Sequence, residues 1–311
     1  MKIIAVSKNK QGAFKTIGEA IEEAKKYSEE IVIELDEGTY HEKLEIRQSH
    51  ITIKGRDAAR TIIEYNDYGF FKMPDGEKRG TFRSQTMFLE GNDITLENIT
   101  IANTAGFGKE IGQAVALYAD GSSHIYKNCR FVGHQDTLFL APLPEKEYEV
   151  NGFRGPKQFA PRTPGSYRLE HCYIEGTVDY IFGGGEAFFL QCELKSLNDK
   201  GTCYVTAAST PEEQKYGFVF YQCKFTGMTA EKNVYLGRPW RNYAKTVIIA
   251  CELGECIAEV GWNDWGKENA HQTITYAEAE NTGMGVIGKR AAYAKQLSAE
   301  EVAEYRKVIC G

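Results

Sequence analysis

A parallel solenoid of short strands, all-β in class, is the fold this sequence predicts, and three observations predict it. Apolar residues alternate with polar ones in short runs through most of the chain, which is the period of a strand. The runs recur as a unit built around an Asn or a Cys: Ile94–Ile101 around Asn98, His124–Phe131 around Cys129, Tyr167–Ile174 around Cys172, Phe188–Leu194 around Cys192, Phe218–Phe225 around Cys223 and Thr246–Leu253 around Cys251. The central residues lie 20 to 43 positions apart with no helical pattern between most of them. Units of that length stack on one another because none can bury its apolar face alone.

The elements follow in chain order. Thr16-Ile-Gly-Glu19 is a capping box, and Phe14, Ile17, Ile21 and Ala24 recur at helical spacing, so an amphipathic helix over about 14–28 is expected to cover the open end of the solenoid. The repeated units come next. Five of them carry a cysteine at the same place, which reads as a ladder of small buried hydrophobes, one per coil. None of the eight cysteines forms a CxxC pair, so a zinc or redox cluster has no support, and stacked free thiols fit a reducing compartment. Residues 141–165 break the pattern with five of the eight prolines. A loop of that length in a compact domain is usually functional. Ser298-Ala-Glu-Glu301 opens a short C-terminal helix over about 298–309, with Val302, Tyr305, Val308 and Ile309 on one face. The whole of 1–311 reads as one domain, expected to be a monomer because both ends of the solenoid are closed.

Composition narrows the function. With 42% hydrophobic and 26% charged residues the chain is globular, which excludes disorder, collagen and coiled coil. Lys+Arg 37 against Asp+Glu 43 leaves −6, which argues against a nucleic-acid partner held by phosphate neutralisation. No run approaches the ~20 apolar residues of a membrane span, so no membrane partner is expected. The first ten residues hold no apolar run of signal-peptide length; the expectation is a cytoplasmic protein, or a secreted one if a leader has been removed.

Alignment by cysteine puts two carboxylates in register. Cys129 to Asp136 and Cys172 to Asp179 match position by position, with Gly133 and Gly176 between. In neighbouring coils about 4.8 Å apart the two carboxylates point the same way and cannot both ionise easily, so one becomes a neutral acid beside an ionised partner. The competing reading is that both are turn residues at coil corners, and Asp199, seven after Cys192, keeps it open. Gln135 and Gln113 supply side-chain amides suited to an oxyanion. Arg238, in Leu236-Gly-Arg-Pro-Trp240, is suited to hold a carboxylate through two parallel hydrogen bonds. Trp240, Tyr118, Phe182, Trp262 and Trp265 offer flat faces on which sugar rings pack. No GxSxG elbow and no HExxH is present, and Gly283–Gly288 fits GxGxxG with too little chain after it for a dinucleotide fold.

These segments occur in an order that resembles the pectin methylesterases: Gly38-Thr-Tyr-His-Glu42, Thr81-Phe-Arg-Ser84, Gln113–Leu117, Gly133-His-Gln-Asp-Thr-Leu138, Gly176-Thr-Val-Asp-Tyr-Ile-Phe-Gly183 and Leu236–Trp240, with Gly261–Trp265 and Tyr276–Gly283 similar to bacterial members. The resemblance spans about 4–305. It implies a right-handed parallel β-helix, with Asp179 as nucleophile, Asp136 as acid/base, Gln113 and Gln135 as oxyanion donors, Arg238 and Trp240 at the substrate, and Thr81 in contact with it. It implies removal of methyl groups from methyl-esterified galacturonate in pectin or oligogalacturonides, with no cofactor and no metal. Glu186, in a Gly183-Gly-Gly-Glu186 departure from the usual turn, is expected near the site. The remaining alternatives are an esterase or thioesterase acting on another acyl group, a β-helix glycosidase, since two carboxylates ~5 Å apart also suit retaining hydrolysis, and a non-catalytic carbohydrate-binding solenoid.

Overall fold

A computed structural model describes residues 1–310. Among these residues the strands form three sheets of eleven, eight and seven strands, and the chain visits the sheets in turn. Ile94–Glu97, Thr100–Asn103 and Leu117–Ala119 make one coil; His124–Lys127, Arg130–Val132 and Leu138–Leu140 make the next. Each strand pairs in parallel with its equivalent one coil away. The architecture is a right-handed parallel β-helix. Side chains that alternate inward, such as Phe189, Phe220 and Ile248, fill a continuous core.

Strand register corrects the alignment of the first unit. Glu97 is level with Lys127 and Thr100 with Arg130, so Asn98 matches Asn128, and Ile99, not Asn98, matches Cys129. Asn98, Asn128, His171, Gln191, Gln222, Ala250 and Glu280 all have φ between 50° and 55°. They form a column of left-handed corners between two sheets, a conformation Asn tolerates best among non-glycine residues. The residue after each corner points inward, which is where the cysteine ladder sits. A corner also interrupts the strand ladder and leaves an N–H to be satisfied. The Cys192 N–H donates to Cys223 Sγ at 3.4 Å, the Cys223 N–H to Cys251 Sγ at 3.3 Å, and the Cys251 N–H to Asn281 Oδ1 at 2.9 Å, which ends the column. The thiols are therefore acceptors as well as filler. Cys223→Ala is expected to cost about 1–3 kcal/mol, because it strands the buried Cys192 N–H, whereas Cys223→Ser, which keeps an acceptor, costs less. Urea denaturation of the two variants checks the order, and equal losses would reduce the thiol to a space-filler.

The first helix, α1 (Ile17–Ala24), is shorter than its pattern suggests. Thr16 caps it: the Glu19 N–H donates to Thr16 Oγ1 at 3.1 Å and the Thr16 N–H to Glu19 Oε2 at 3.1 Å. The Glu42 carboxylate accepts the Ile17 and Gly18 N–H groups at 2.9 Å each, a negative group at the positive end of the helix. Ile17, Ala20, Ile21 and Ala24 are buried against the first strands, Lys2–Val6, Ile31–Leu35 and Leu44–Ile46, so α1 covers the N-terminal end.

The second helix, α2 (Ala299–Cys310), does not close the other end. Val302 and Ile309 are buried on the outward-facing residues Phe188, Val219 and Val247 of the eleven-stranded sheet. Strands that are apolar on both faces need such a cover. Residues 141–165 form no strand or helix, yet they are pinned. Arg162 donates to the carbonyls of Pro144, Lys157, Ala160 and Gln158 at 2.8–3.2 Å, and Lys157 lies 3.1 Å from Glu90 and 3.4 Å from Asp120.

Candidate active site

The two aspartates are in register. Leu138 pairs with Ile181, so Asp136 and Asp179, two residues earlier in each strand, occupy the same corner of adjacent coils. Both corners are left-handed, with φ 64° at Asp136 and 52° at Asp179. The turns before them need glycine because each folds back tightly on itself and, at Gly176, the neighbouring coil comes close as well. A Cβ on Gly176 would lie 2.3 Å from Tyr180 Cβ and 2.5 Å from His134 O, and one on Gly133 would lie 2.8 Å from Thr137 Oγ1. Asp199 does not continue the series: the turn Asn198–Lys200 intervenes, and the strand register puts Tyr204, not Asp199, level with Asp179. The corner reading alone therefore does not account for the pair, because both aspartates line a cleft and Asp199 does not.

Arg238 reaches Asp179 from two coils away, at the end of Val234–Gly237. Its Nε donates to Oδ1 and its Nη2 to Oδ2, both at 2.7 Å. The guanidinium carbon also lies over two aromatic rings, 3.9 Å from the centroid of Tyr204 and 3.7 Å from that of Trp265, contacts that suit a guanidinium better than an ammonium. Asp136 and Asp179 are 8% and 7% exposed. Burial, reinforced by the charge of Asp179, pushes the Asp136 carboxyl well above the usual range, with only the more distant charge of Arg238 opposing. Burial also raises Asp179, but there the two hydrogen bonds and the charge of Arg238 pull against it. Asp179 is thus the carboxyl that ionises first, and Asp136 the one that keeps its proton.

Gln113, Gln135 and Thr81 line the same cleft of about 310 Å³, together with Phe82, Phe182, Ala207, Trp240, Arg241 and Trp265. Three expected residues, Gln113, Gln135 and Thr81, thus stand beside the aspartates, with Arg238 completing the set and Phe182 and Trp240 supplying apolar wall. Two expected substrate contacts do not reach the cleft. Tyr118 is fully buried, its ring against Phe82, Phe88 and Phe139. Trp262 is 1% exposed, stacked on Tyr276 at 4.4 Å, and its Nε1 donates to Glu278 Oε1 at 3.0 Å. Trp262 belongs to the inner core, whereas Tyr118 lies on the outward face of its strand, level with Phe88 and Phe139, in the apolar cluster that Phe82 joins and that shuts it off from the cleft. Glu186 is also elsewhere: it opens Glu186–Leu190 in the eleven-stranded sheet and does not line the cleft.

The proline-rich segment supplies one wall of the cleft, as the length of that excursion suggests, through residues the sequence pattern did not single out. Tyr148, Glu149, Gly152 and Phe153 of the proline-rich segment line the cleft, and Phe153 meets Phe82 and Trp240 edge-on at 5.9 and 6.0 Å. Arg241, directly after Trp240, packs on Tyr148 at 3.8 Å. Lys267 lies over Trp265 at 4.5 Å, and burial with the nearby charges of Arg241 and Arg238 pushes its ammonium down to about 8. The length of residues 141–165 was the only signal for this wall; nothing in the residues themselves foretold which would face inward.

A carboxylate set in an arginine fork, a neutral carboxyl one coil away, and two amides at the same opening form a site for acyl transfer to water. Fold and site together define a carboxylic ester hydrolase. The profile of the family described as Pectinesterase matches residues 3–144 and 165–307. Pectinesterase 31 of Arabidopsis thaliana is 29% identical over 98% of this chain and 90% of its own. The protein named "Probable pectinesterase/pectinesterase inhibitor 23", from the same plant, is 32% identical over 90% of this chain, which spans only 46% of that longer protein. Among solved structures, pectin methylesterase PemA from Erwinia chrysanthemi superposes with a TM-score of 0.81 at 27% identity, covering 98% of this chain and 96% of that one. The carrot pectin methylesterase gives 0.80 at 26%, covering 96% and 89%. The chain belongs to the pectinesterase family. The family match skips 145–164, the segment that walls the cleft.

Proposed function

We propose that the protein removes methyl groups from methyl-esterified galacturonate, in pectin or in oligogalacturonides, and releases methanol. The observation that carries this reading is the two-point Arg238 fork on Asp179 beside a buried Asp136. Asp179 attacks the ester carbonyl carbon, and the negative charge that develops on the carbonyl oxygen is met by the Gln113 and Gln135 amides. Asp136 gives its proton to the departing methoxide, which leaves as methanol. A water then attacks the acyl-enzyme, Asp136 takes back a proton, and the C–O bond to Asp179 breaks to release the galacturonate carboxylic acid. Trp240, Phe182 and Thr81 flank the sugar that carries the ester.

The amide pair favours ester hydrolysis over glycoside cleavage, because only the former develops an oxyanion. Methanol release from highly methylated pectin, run beside an assay for new reducing ends, tests the reading. Wild type is expected to yield methanol and no reducing ends, and Asp179→Ala to lower the rate by about 10⁴-fold or more. New reducing ends would make the enzyme a glycosidase or lyase. Undiminished release by Asp179→Ala would remove the nucleophile from its place.

A further inference from the structure

A second recess, of about 560 Å³, lies behind one wall of the cleft. Thr81, Phe82, Gly152 and Phe153 face the cleft, and the next residues in each segment, Arg83, Arg154 and Gly155, face the recess. The wall between them is thin: a Cβ on Gly155 would come within 2.4 Å of Phe82 O. Five cationic side chains line the recess, Lys43, Arg47, Arg79, Arg83 and Arg154, against two acidic ones, Glu45 and Asp67.

The charges are unevenly matched. Lys43 and Arg79 share Asp67, and Arg47 is paired with Glu45 and Glu90. Arg154 has only Asp75, at 3.4 Å and outside the recess. Arg83 has no carboxylate partner among the described residues; its Nε donates to Arg79 O at 2.5 Å and its Nη2 to Lys78 O at 3.0 Å. Burial and the neighbouring Arg154 and Arg79 push its guanidinium down from the usual value, as expected where cations outnumber counter-charges. Gln85, 2% exposed, also lines the recess, and its Oε1 has no partner. An unpartnered buried amide beside an under-neutralised arginine pair is a site built for a polar anion that also carries hydroxyls.

We infer that this recess binds a free uronate carboxylate of the polymer, with Arg83 and Arg154 on the carboxylate and Gln85 taking a sugar hydroxyl. The inference rests on the proposed function, because the enzyme would generate that ligand: each turnover turns an ester on the chain into a carboxylate. A chain with acid groups beside its remaining esters would be held at the recess while a methylated ring occupies the cleft.

The test uses fully de-esterified hexagalacturonate as the binding probe, measured by calorimetry with the intact protein, beside inorganic sulfate. Wild type is expected to bind the hexamer, more weakly as salt rises, and Arg154→Gln and Arg83→Gln/Arg154→Gln to bind it at least tenfold less well. KM on half-methylated pectin is expected to rise tenfold more than KM on fully methylated hexamer in the double variant. Arg154→Gln, which loses only a loose surface pair, guards against a misfolded double variant. Equal hexamer binding by wild type and Arg154→Gln would overturn the inference, and so would sulfate competing as well as the hexamer, which would mean a site for any anion. Failure of wild type to release methanol from methylated hexamer strikes the proposed function instead, while the calorimetry still judges the recess.

Discussion

Asp136→Asn is expected to lower methanol release by about 10²–10⁴-fold and, at the same time, to make the protein more stable at neutral pH. Asp136 is buried one coil from Asp179, and both burial and that charge raise its carboxyl well above the usual range. In the unfolded chain the same group titrates near the ordinary carboxylate value, about 3.9. Between the two values the folded protein binds a proton that the unfolded chain has released, so stability falls as pH rises through that window. Asparagine has no proton to lose and removes this fall. The melting temperature of the variant should therefore exceed that of wild type, by on the order of 2 °C for each 1 kcal/mol gained, and the gap should widen from pH 5 to pH 8. Melting curves at the two pH values measure it. A variant that melts lower than wild type at pH 8 would mean that the Asp136 carboxylate is stabilised by its surroundings, which contradicts its role as the acid.

Arg238→Met is expected to have the largest effect of the opposite kind. It removes both hydrogen bonds and the charge that hold Asp179, and leaves a carboxyl that is 7% exposed without a counter-ion. Breaking a buried pair from one side costs about 3–5 kcal/mol. Burial then acts on Asp179 with only the charge of Lys267 against it and raises its carboxyl further, so the ionised nucleophile appears only at higher pH. The acid limb of the kcat/KM profile should move to higher pH, with part of the lost rate recovered there. Arg238→Lys keeps a charge but not the planar fork over Tyr204 and Trp265, and should fall between wild type and Arg238→Met. A rate loss with the acid limb unmoved would mean that Arg238 acts on the substrate and not through Asp179.

The legible and illegible parts of this site differ in one physical respect. Asp136 and Asp179 were found because a solenoid repeats its geometry, so equal spacing from a stacked cysteine becomes equal position in space. The same logic failed at Asp199, where a turn of three residues shifts the coil. It also misplaced Asn98 by one, because a left-handed corner and the inward position after it are neighbours in sequence and both accept small polar residues. Tyr118 and Trp262 were expected at the cleft because aromatic residues suit sugars, yet an aromatic side chain gains as much from a packed layer.

The solenoid, its repeat, the capping box of α1, the two aspartates, the two glutamines and the arginine were all legible in the chain. The repeat, the cap and the aspartates depend on spacing within a coil or between neighbouring coils, which strand periodicity transmits directly, whereas the glutamines and the arginine stand out by residue type and by the family resemblance. Stacking of the coils was needed to show which cleft those residues share, that α2 covers a sheet face, that Tyr148, Glu149, Gly152 and Phe153 are the wall residues of 141–165, and that Arg83 and Arg154 line one recess behind it. An irregular segment has no period to read. Its course is set by where Lys157 finds Glu90 and Asp120 and where Phe153 finds Phe82, contacts that exist only once the coils are stacked.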